Sequence, residues 1–155
     1  MSKRILDIGC GKRKIKGAIG IDIDLNADFD YFMDAHNLQF EDDYFDVVYC
    51  LDVVEHCENP YRVLSEIKRV LKRDGILYLS VPNIYRFHRL LCFWLNRRTS
   101  VDFSHLYCFD KSVMSQLLGK LGMSIIHTAY YYWHTRLIAH RNAATSILFT
   151  VRNNL

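Results

Sequence analysis

The chain has 155 residues, half of them apolar, which suits one domain over residues 1–155 and is too short for two. No apolar run approaches the roughly 18 residues of a membrane span, and the five cysteines form no Cys-x-x-Cys pair, which predicts a soluble cytoplasmic protein without stable membrane insertion. The net charge of +3 divides unevenly, since residues 1–85 carry 11 basic and 15 acidic side chains and residues 86–155 carry nine and two.

Four short β-prone runs fall within the first fifty residues, at residues 4–8, 18–22, 29–33 and 45–50. The fourth run is almost continuously apolar. Runs of this kind are typical of parallel strands covered on both faces of a sheet. We therefore expect four strands before the first clear helix.

That helix begins at Asn59-Pro60, where a capping residue precedes a proline suited to the first helical position. We expect it to end near Gly75, because glycine readily adopts the left-handed closing conformation. Its apolar residues recur on one face and predict packing on a sheet; they are Val63, Leu64, Ile67, Val70 and Leu71. A strand over residues 76–81 follows, and strand, helix and strand in this order predict a parallel pair with a right-handed crossover.

The rest of the chain continues this α/β pattern. Helices are predicted over residues 84–96 and 110–121, the second ending near Gly122, and strands over residues 124–133 and 146–152. The segment 85–98 mixes aromatic residues and leucines with four arginines. It is either an amphipathic helix packed on the sheet, or a lid, a membrane-surface helix or a nucleic-acid contact.

A glycine turn follows the first predicted strand, in the sequence Asp7-Ile8-Gly9-Cys10-Gly11. Glycines allow the backbone to turn sharply and to approach a ligand closely. A dinucleotide fingerprint would require a third glycine at position 14, where this chain has Lys14, and an acid about twenty residues further on. Asp22 follows Gly11 by only eleven residues, which disfavours a nicotinamide cofactor.

Several runs in this order resemble the motifs of class I S-adenosylmethionine-dependent methyltransferases, of the methyltransferase type 11-like kind. They are Leu6–Gly11, Gly20–Asp22, Asp34-Ala35, Phe45–Val48, Val54–His56, Arg69–Gly75 and Val81–Asn83. The resemblance implies a Rossmann-like, mostly parallel seven-stranded sheet in the order 3-2-1-4-5-7-6. It also implies S-adenosylmethionine as the cofactor.

The resemblance assigns site residues to positions of this sequence. Asp22 would accept both ribose hydroxyls, Ile23 would pack on the adenine, and Asp34 would accept from its exocyclic amine. The full cofactor-binding set is Asp7, Gly9, Cys10, Gly11, Asp22, Ile23, Asp34, Ala35, Cys50 and Leu51. His56, His88 and His105 titrate in the range of a base for the acceptor, and His56 and His105 are the catalytic candidates. No metal site is expected.

The sequence departs from the family in two places. Only the six residues 12–17 separate Gly11 from the second strand, so the first crossover helix is expected to be reduced to a loop. The chain also begins at the first strand, without the N-terminal helices that cover the substrate in many relatives. We expect an open active site or one completed by a homodimer or a partner protein.

The predicted function is methyl transfer to a small molecule, a glycan or a lipid intermediate. One alternative is a noncatalytic binding or scaffold subunit with the same fold. An RNA methyltransferase ranks lower, because the chain shows no appended RNA-binding module, and nucleic acid is not an expected partner. The acceptor atom and the oligomeric state stay open at this point.

Overall fold

The computed structural model describes residues 3–83, 106–131 and 145–154. Seven strands form one sheet in the order β3-β2-β1-β4-β5-β7-β6, as the family resemblance implies. β7 runs antiparallel to both of its neighbours, and the other pairings are parallel. The strands are β1 (Ile5–Ile8), β2 (Ile19–Asp22), β3 (Tyr31–Phe32), β4 (Phe45–Leu51), β5 (Leu71–Pro82), β6 (Met123–Tyr131) and β7 (Ser146–Asn153).

Two α-helices and one 3-10 helix are present in the described ranges: the 3-10 helix Val54–His56, α1 (Pro60–Val70) and α2 (Lys111–Lys120). The side chain of Asn59 caps α1, since its Oδ1 accepts a hydrogen bond from the Arg62 amide at 3.0 Å. The predicted apolar face of α1 is buried in the core. None of the helices within these ranges is long and apolar enough to cross a membrane.

The predicted end of α1 near Gly75 is wrong. The helix ends at Val70, and Leu71 is already extended and pairs with Phe45 of β4. The left-handed conformation falls on Asp74, with φ of 60°, and not on Gly75. A register shift between Phe45 and Val47 accommodates this early return to the sheet.

The first crossover is a loop, as predicted. Residues 9–18 contain turns and no helix, and the buried carboxylate of Asp7 accepts the Ile15 amide at 2.8 Å. This contact ties the loop to β1.

The predicted strand over residues 29–33 is shorter in the structure. Only Tyr31 and Phe32 pair with β2, and both are exposed because they form the edge of the sheet. The predictions that concern residues 84–105 and Trp133 fall outside the described residues.

Candidate functional site

A cavity of about 740 Å³ lies beyond the carboxyl ends of β1, β2 and β4. Ligands of open α/β sheets bind at this edge, and the volume falls within the ~300–1,000 Å³ of small-molecule sites. The described residues that line the cavity are Ile8, Gly9, Ile21, Asp22, Ile23, Met33, Asp34, Ala35, His36, Asp52, Val53, His56, Cys57, Glu58 and Asn59.

The turn after β1 forms one wall of the cavity. The amides of Gly9 and Cys10 both donate to the Ile21 carbonyl, at 2.9 and 3.2 Å. Gly9 has φ of 65°, and a Cβ at this position would overlap the Val53 side chain. Only glycine therefore fits both the backbone conformation and the space.

Asp22 ends β2 with a carboxylate that is fixed by backbone donors. Its Oδ2 accepts the Gly11 amide at 2.9 Å, and its Oδ1 accepts the Asp24 amide at 2.8 Å. Each carboxylate oxygen has two lone pairs, so both retain acceptor capacity toward the cavity. The glycine turn and the acid thus hold each other in place.

The loop after β3 places a second carboxylate on the cavity wall. Asp34 Oδ1 accepts the His36 amide at 2.9 Å and lies 2.7 Å from the His36 Nδ1. The pKa of Asp34 is lowered, chiefly by the hydrogen bond from the His36 amide. Asp34 is therefore an ionised acceptor at neutral pH.

Asp52 stands at the end of β4 in a left-handed conformation, with φ of 54°. Its amide donates to the Ser80 carbonyl at 3.1 Å, and its Oδ1 accepts the Ser80 hydroxyl at 2.9 Å. Burial raises the pKa of Asp52 above its ordinary value, and the Ser80 hydrogen bond opposes this rise. A non-glycine residue in this conformation is uncommon outside turns and functional sites, and here the chain directs an acid toward the cavity.

Glu55 lies directly behind this wall. Its side chain is fully buried, and neither of its carboxylate oxygens has a hydrogen-bond partner within the part of the chain that is described. Burial raises the pKa of Glu55 to about 8. Its backbone carbonyl accepts the amides of Leu106 and Tyr107, at 2.8 and 3.3 Å.

The charge of the cavity wall is negative. Four carboxylates line it, those of Asp22, Asp34, Asp52 and Glu58, and its described residues include no lysine or arginine. Such a wall favours a cationic ligand and disfavours the phosphates of a dinucleotide. No group of three metal-ligating side chains occurs within the described ranges.

Comparison with known proteins finds a family model that matches part of the chain. Residues 6–79 match the family model described as a methyltransferase domain. This part of the chain is therefore similar to methyltransferase domains.

The relatives that the chain resembles include the ubiquinone biosynthesis O-methyltransferase of Glaesserella parasuis. The alignment over 109 residues is 29% identical, and it covers 52% of this chain and 46% of the relative. The chain spans about half the length of the curated relatives it matches.

Two solved structures show the same fold. A SAM-dependent methyltransferase from Methanosarcina mazei aligns with a TM-score of 0.74 and 22% identity over 99% of this chain and 93% of that one. A Haloferax volcanii complex between the Trm112 methyltransferase activator and a methyltransferase aligns with a TM-score of 0.67 and 18% identity, over 97% of this chain and 81% of that one.

Six of the predicted site residues line the cavity: Gly9, Asp22, Ile23, Asp34, Ala35 and His56. The other predicted positions within the described ranges lie behind the wall. Asp7 binds the Ile15 amide, the buried Cys10 thiol contacts the Asp28 carbonyl at 3.5 Å, and Gly11 positions Asp22. Cys50 is fully buried and Leu51 pairs with Ser80 in the sheet, while His105 lies outside the described residues.

Sequence reasoning missed some of the cavity residues, notably Met33, His36 and Val53. The signal for His36 was present, since a histidine two residues after the acid of a motif can bond back to it. The contact between Val53 and Gly9 joins the ends of β4 and β1, and nothing local in the sequence indicates it.

Proposed function

We propose that the chain binds S-adenosylmethionine in this cavity and catalyses methyl transfer. The observation that carries the proposal is the Asp22 carboxylate, held by the amides of Gly11 and Asp24 at the end of β2. A carboxylate presents two acceptor oxygens side by side, which suits the paired hydroxyls of a ribose.

The rest of the wall also fits this cofactor. Ile23 is 65% exposed and offers an apolar face to a purine ring, and Asp34 and the Ala35 amide offer an acceptor and a donor to its edge. The carboxylates of Asp52 and Glu58 favour the positive charges of the sulfonium and ammonium groups. Glycine at position 9 allows the turn after β1 to pack directly against Val53 of the same wall.

The residues of the cavity would have separate roles in the reaction. When bound, S-adenosylmethionine supplies an electrophilic methyl group. The ends of β1 and β2 hold the cofactor, and proximity and alignment with the acceptor then account for much of the rate. His56 is the wall residue whose imidazole would receive the proton of the acceptor, and Ser80 orients Asp52 on the same wall.

The acceptor class follows from chemistry and from the relatives. A small molecule, a glycan or a lipid intermediate with a hydroxyl group is the proposed acceptor, and the name of the O-methyltransferase relatives favours oxygen. A protein partner that completes the acceptor side is part of the proposal, because one structural neighbour was solved with a methyltransferase activator. We place the reaction in the cytoplasm.

Calorimetric titration with S-adenosylmethionine and S-adenosylhomocysteine tests the proposal. We expect micromolar binding by the wild type and a loss of roughly 100-fold in Asp22→Ala, because two charge-assisted hydrogen bonds disappear. Asp22→Asn removes the charge with little change of shape. Asp24→Ala is the matched control, since the Asp24 side chain does not line the cavity and the backbone amide that donates to Asp22 is kept.

The titration also separates the alternatives. Absence of wild-type binding would refute the proposed cofactor. Binding without turnover on hydroxyl acceptors of the three classes would instead identify a noncatalytic subunit.

A further inference from the structure

His36 connects the loop after β3 to the beginning of α1. Its Nδ1 lies 2.7 Å from Asp34 Oδ1, and its Nε2 lies 3.2 Å from the backbone nitrogen of Asn59. The Arg62 side chain donates from Nε to the His36 carbonyl at 3.1 Å. The imidazole is therefore held at both ring nitrogens, and its backbone is held from the first turn of α1.

These contacts determine where the proton of the imidazole lies. The backbone nitrogen of Asn59 is only a donor, so Nε2 of His36 must be the acceptor and carries no proton. The proton of the neutral ring is then on Nδ1, which donates to Asp34.

This donation determines which oxygen of Asp34 remains for a ligand. Oδ1 already accepts two hydrogen bonds, from the amide and from Nδ1 of His36. Oδ2 accepts none from the described part of the chain. The Asp34 side chain is 60% exposed, so without the imidazole only the backbone amide of residue 36 would hold its carboxylate.

We propose that His36 is a positioning residue that holds Asp34 so that the cavity selects a 6-amino purine over a 6-oxo purine. The inference rests on the proposed function and extends it to a residue without a direct role in methyl transfer. An adenine presents an exocyclic amine, which is a hydrogen-bond donor, to the remaining oxygen of Asp34. A hypoxanthine presents a carbonyl oxygen there, and two acceptors repel each other.

Two substitutions separate the contacts of the imidazole. In His36→Asn the amide nitrogen replaces Nδ1, so donation to Asp34 is kept and the contact with Asn59 is lost. In His36→Gln the amide oxygen replaces Nε2, so the contact with Asn59 is kept and donation to Asp34 is lost. His36→Ala removes both contacts, and His127→Asn is the matched control on the exposed side of β6.

The measurement is the ratio of the dissociation constants of S-inosylhomocysteine and S-adenosylhomocysteine, by calorimetry. We expect discrimination by wild type, His127→Asn and His36→Asn, and a ratio lower by roughly tenfold in His36→Gln and His36→Ala. If His36→Gln discriminates between the two ligands as wild type does and His36→Asn does not, then His36 only stabilises the start of α1. This result would overturn the inference. Equal ratios in all variants would also overturn it.

The failure of the proposed function is a different result. If wild type binds neither nucleoside, the proposed function fails and the inference falls with it. If wild type binds S-adenosylhomocysteine and the His36 variants discriminate as it does, only the inference fails.

Nitrogen-15 NMR of histidine-labelled protein supplies a readout without any ligand. The signal assigned to His36, by its absence in His36→Asn, is expected to report a neutral ring with the proton on Nδ1 at pH 8. A proton on Nε2 would contradict the contact with Asn59 and overturn the inference.

Discussion

At the scale of single residues, the buried acid Glu55 makes the stability of the fold depend on pH. The folded chain holds its pKa at about 8, while the ordinary value is 4.5. Between these values the folded state retains a proton that the unfolded state has lost. The contribution of Glu55 to stability is therefore greatest below pH 4.5 and declines as the pH rises toward 8.

Glu55→Gln should remove this dependence, because an amide stays neutral. We expect the difference in unfolding free energy between variant and wild type to grow by about 1.4 kcal/mol per pH unit between about pH 5 and 7 and to level off near pH 8. Urea denaturation at several pH values measures it. Glu58→Gln is the control on the exposed wall, and parallel curves for Glu55→Gln and wild type would show that Glu55 is ionised in the folded chain.

The residue scale also shows what sequence alone predicts about the site. Asp22 and Gly9 are recognisable because strand end, glycine and acid are adjacent or nearly so in the chain. Glu55 falls within a recognisable motif, but its burial depends on packing from β4 and from residues 106–107, which no local pattern reveals.

At the scale of elements, the early end of α1 has a long-range cause. The Nδ2 of Asn153, at the end of β7, donates to the Leu71 carbonyl at 2.7 Å and also contacts the carbonyls of Lys68 and Lys72. These carbonyls lie in the last turn of α1 and at the start of β5, where helical hydrogen bonds along the chain end. The sequence from Arg69 to Gly75 predicts a longer helix. The residue that contacts the end of α1, Asn153, lies about eighty positions further along the chain, so no local pattern indicates it.

Asn153→Ala should therefore destabilise the fold. Loss of the buried amide leaves the Leu71 carbonyl unpaired, which costs about 1–3 kcal/mol. Urea denaturation measures the change, with Asn154→Ala as the control. Asn154 is exposed and bonds only to Ser124 among the described residues, so we expect its replacement to change stability by less than about 0.5 kcal/mol. Equal effects of the two substitutions would argue against this account of the helix end.

At the scale of the whole molecule, the topology was the most predictable feature. Buried parallel strands give short apolar runs, and the ordered motifs imply the sheet order that the structure shows. The charge pattern was also visible in the sequence, since acidic residues are in excess in residues 1–85, which supply every described residue of the cavity wall. The length of β3 was not predictable, because it depends on how much of the sheet edge is covered.

This acidic wall predicts how salt affects the proposed ligands. S-adenosylmethionine carries one positive charge more than S-adenosylhomocysteine, and the carboxylates of Asp34 and Glu58 are exposed enough to be screened. Between about 0.02 and 0.5 M NaCl, we expect the affinity for S-adenosylmethionine to fall faster than the affinity for S-adenosylhomocysteine. The ratio of the two affinities should then change by roughly two- to threefold. Calorimetry at each salt concentration measures the ratio. Glu58→Gln should reduce this dependence, and equal salt dependence for the two ligands would show that the wall does not act on the sulfonium charge.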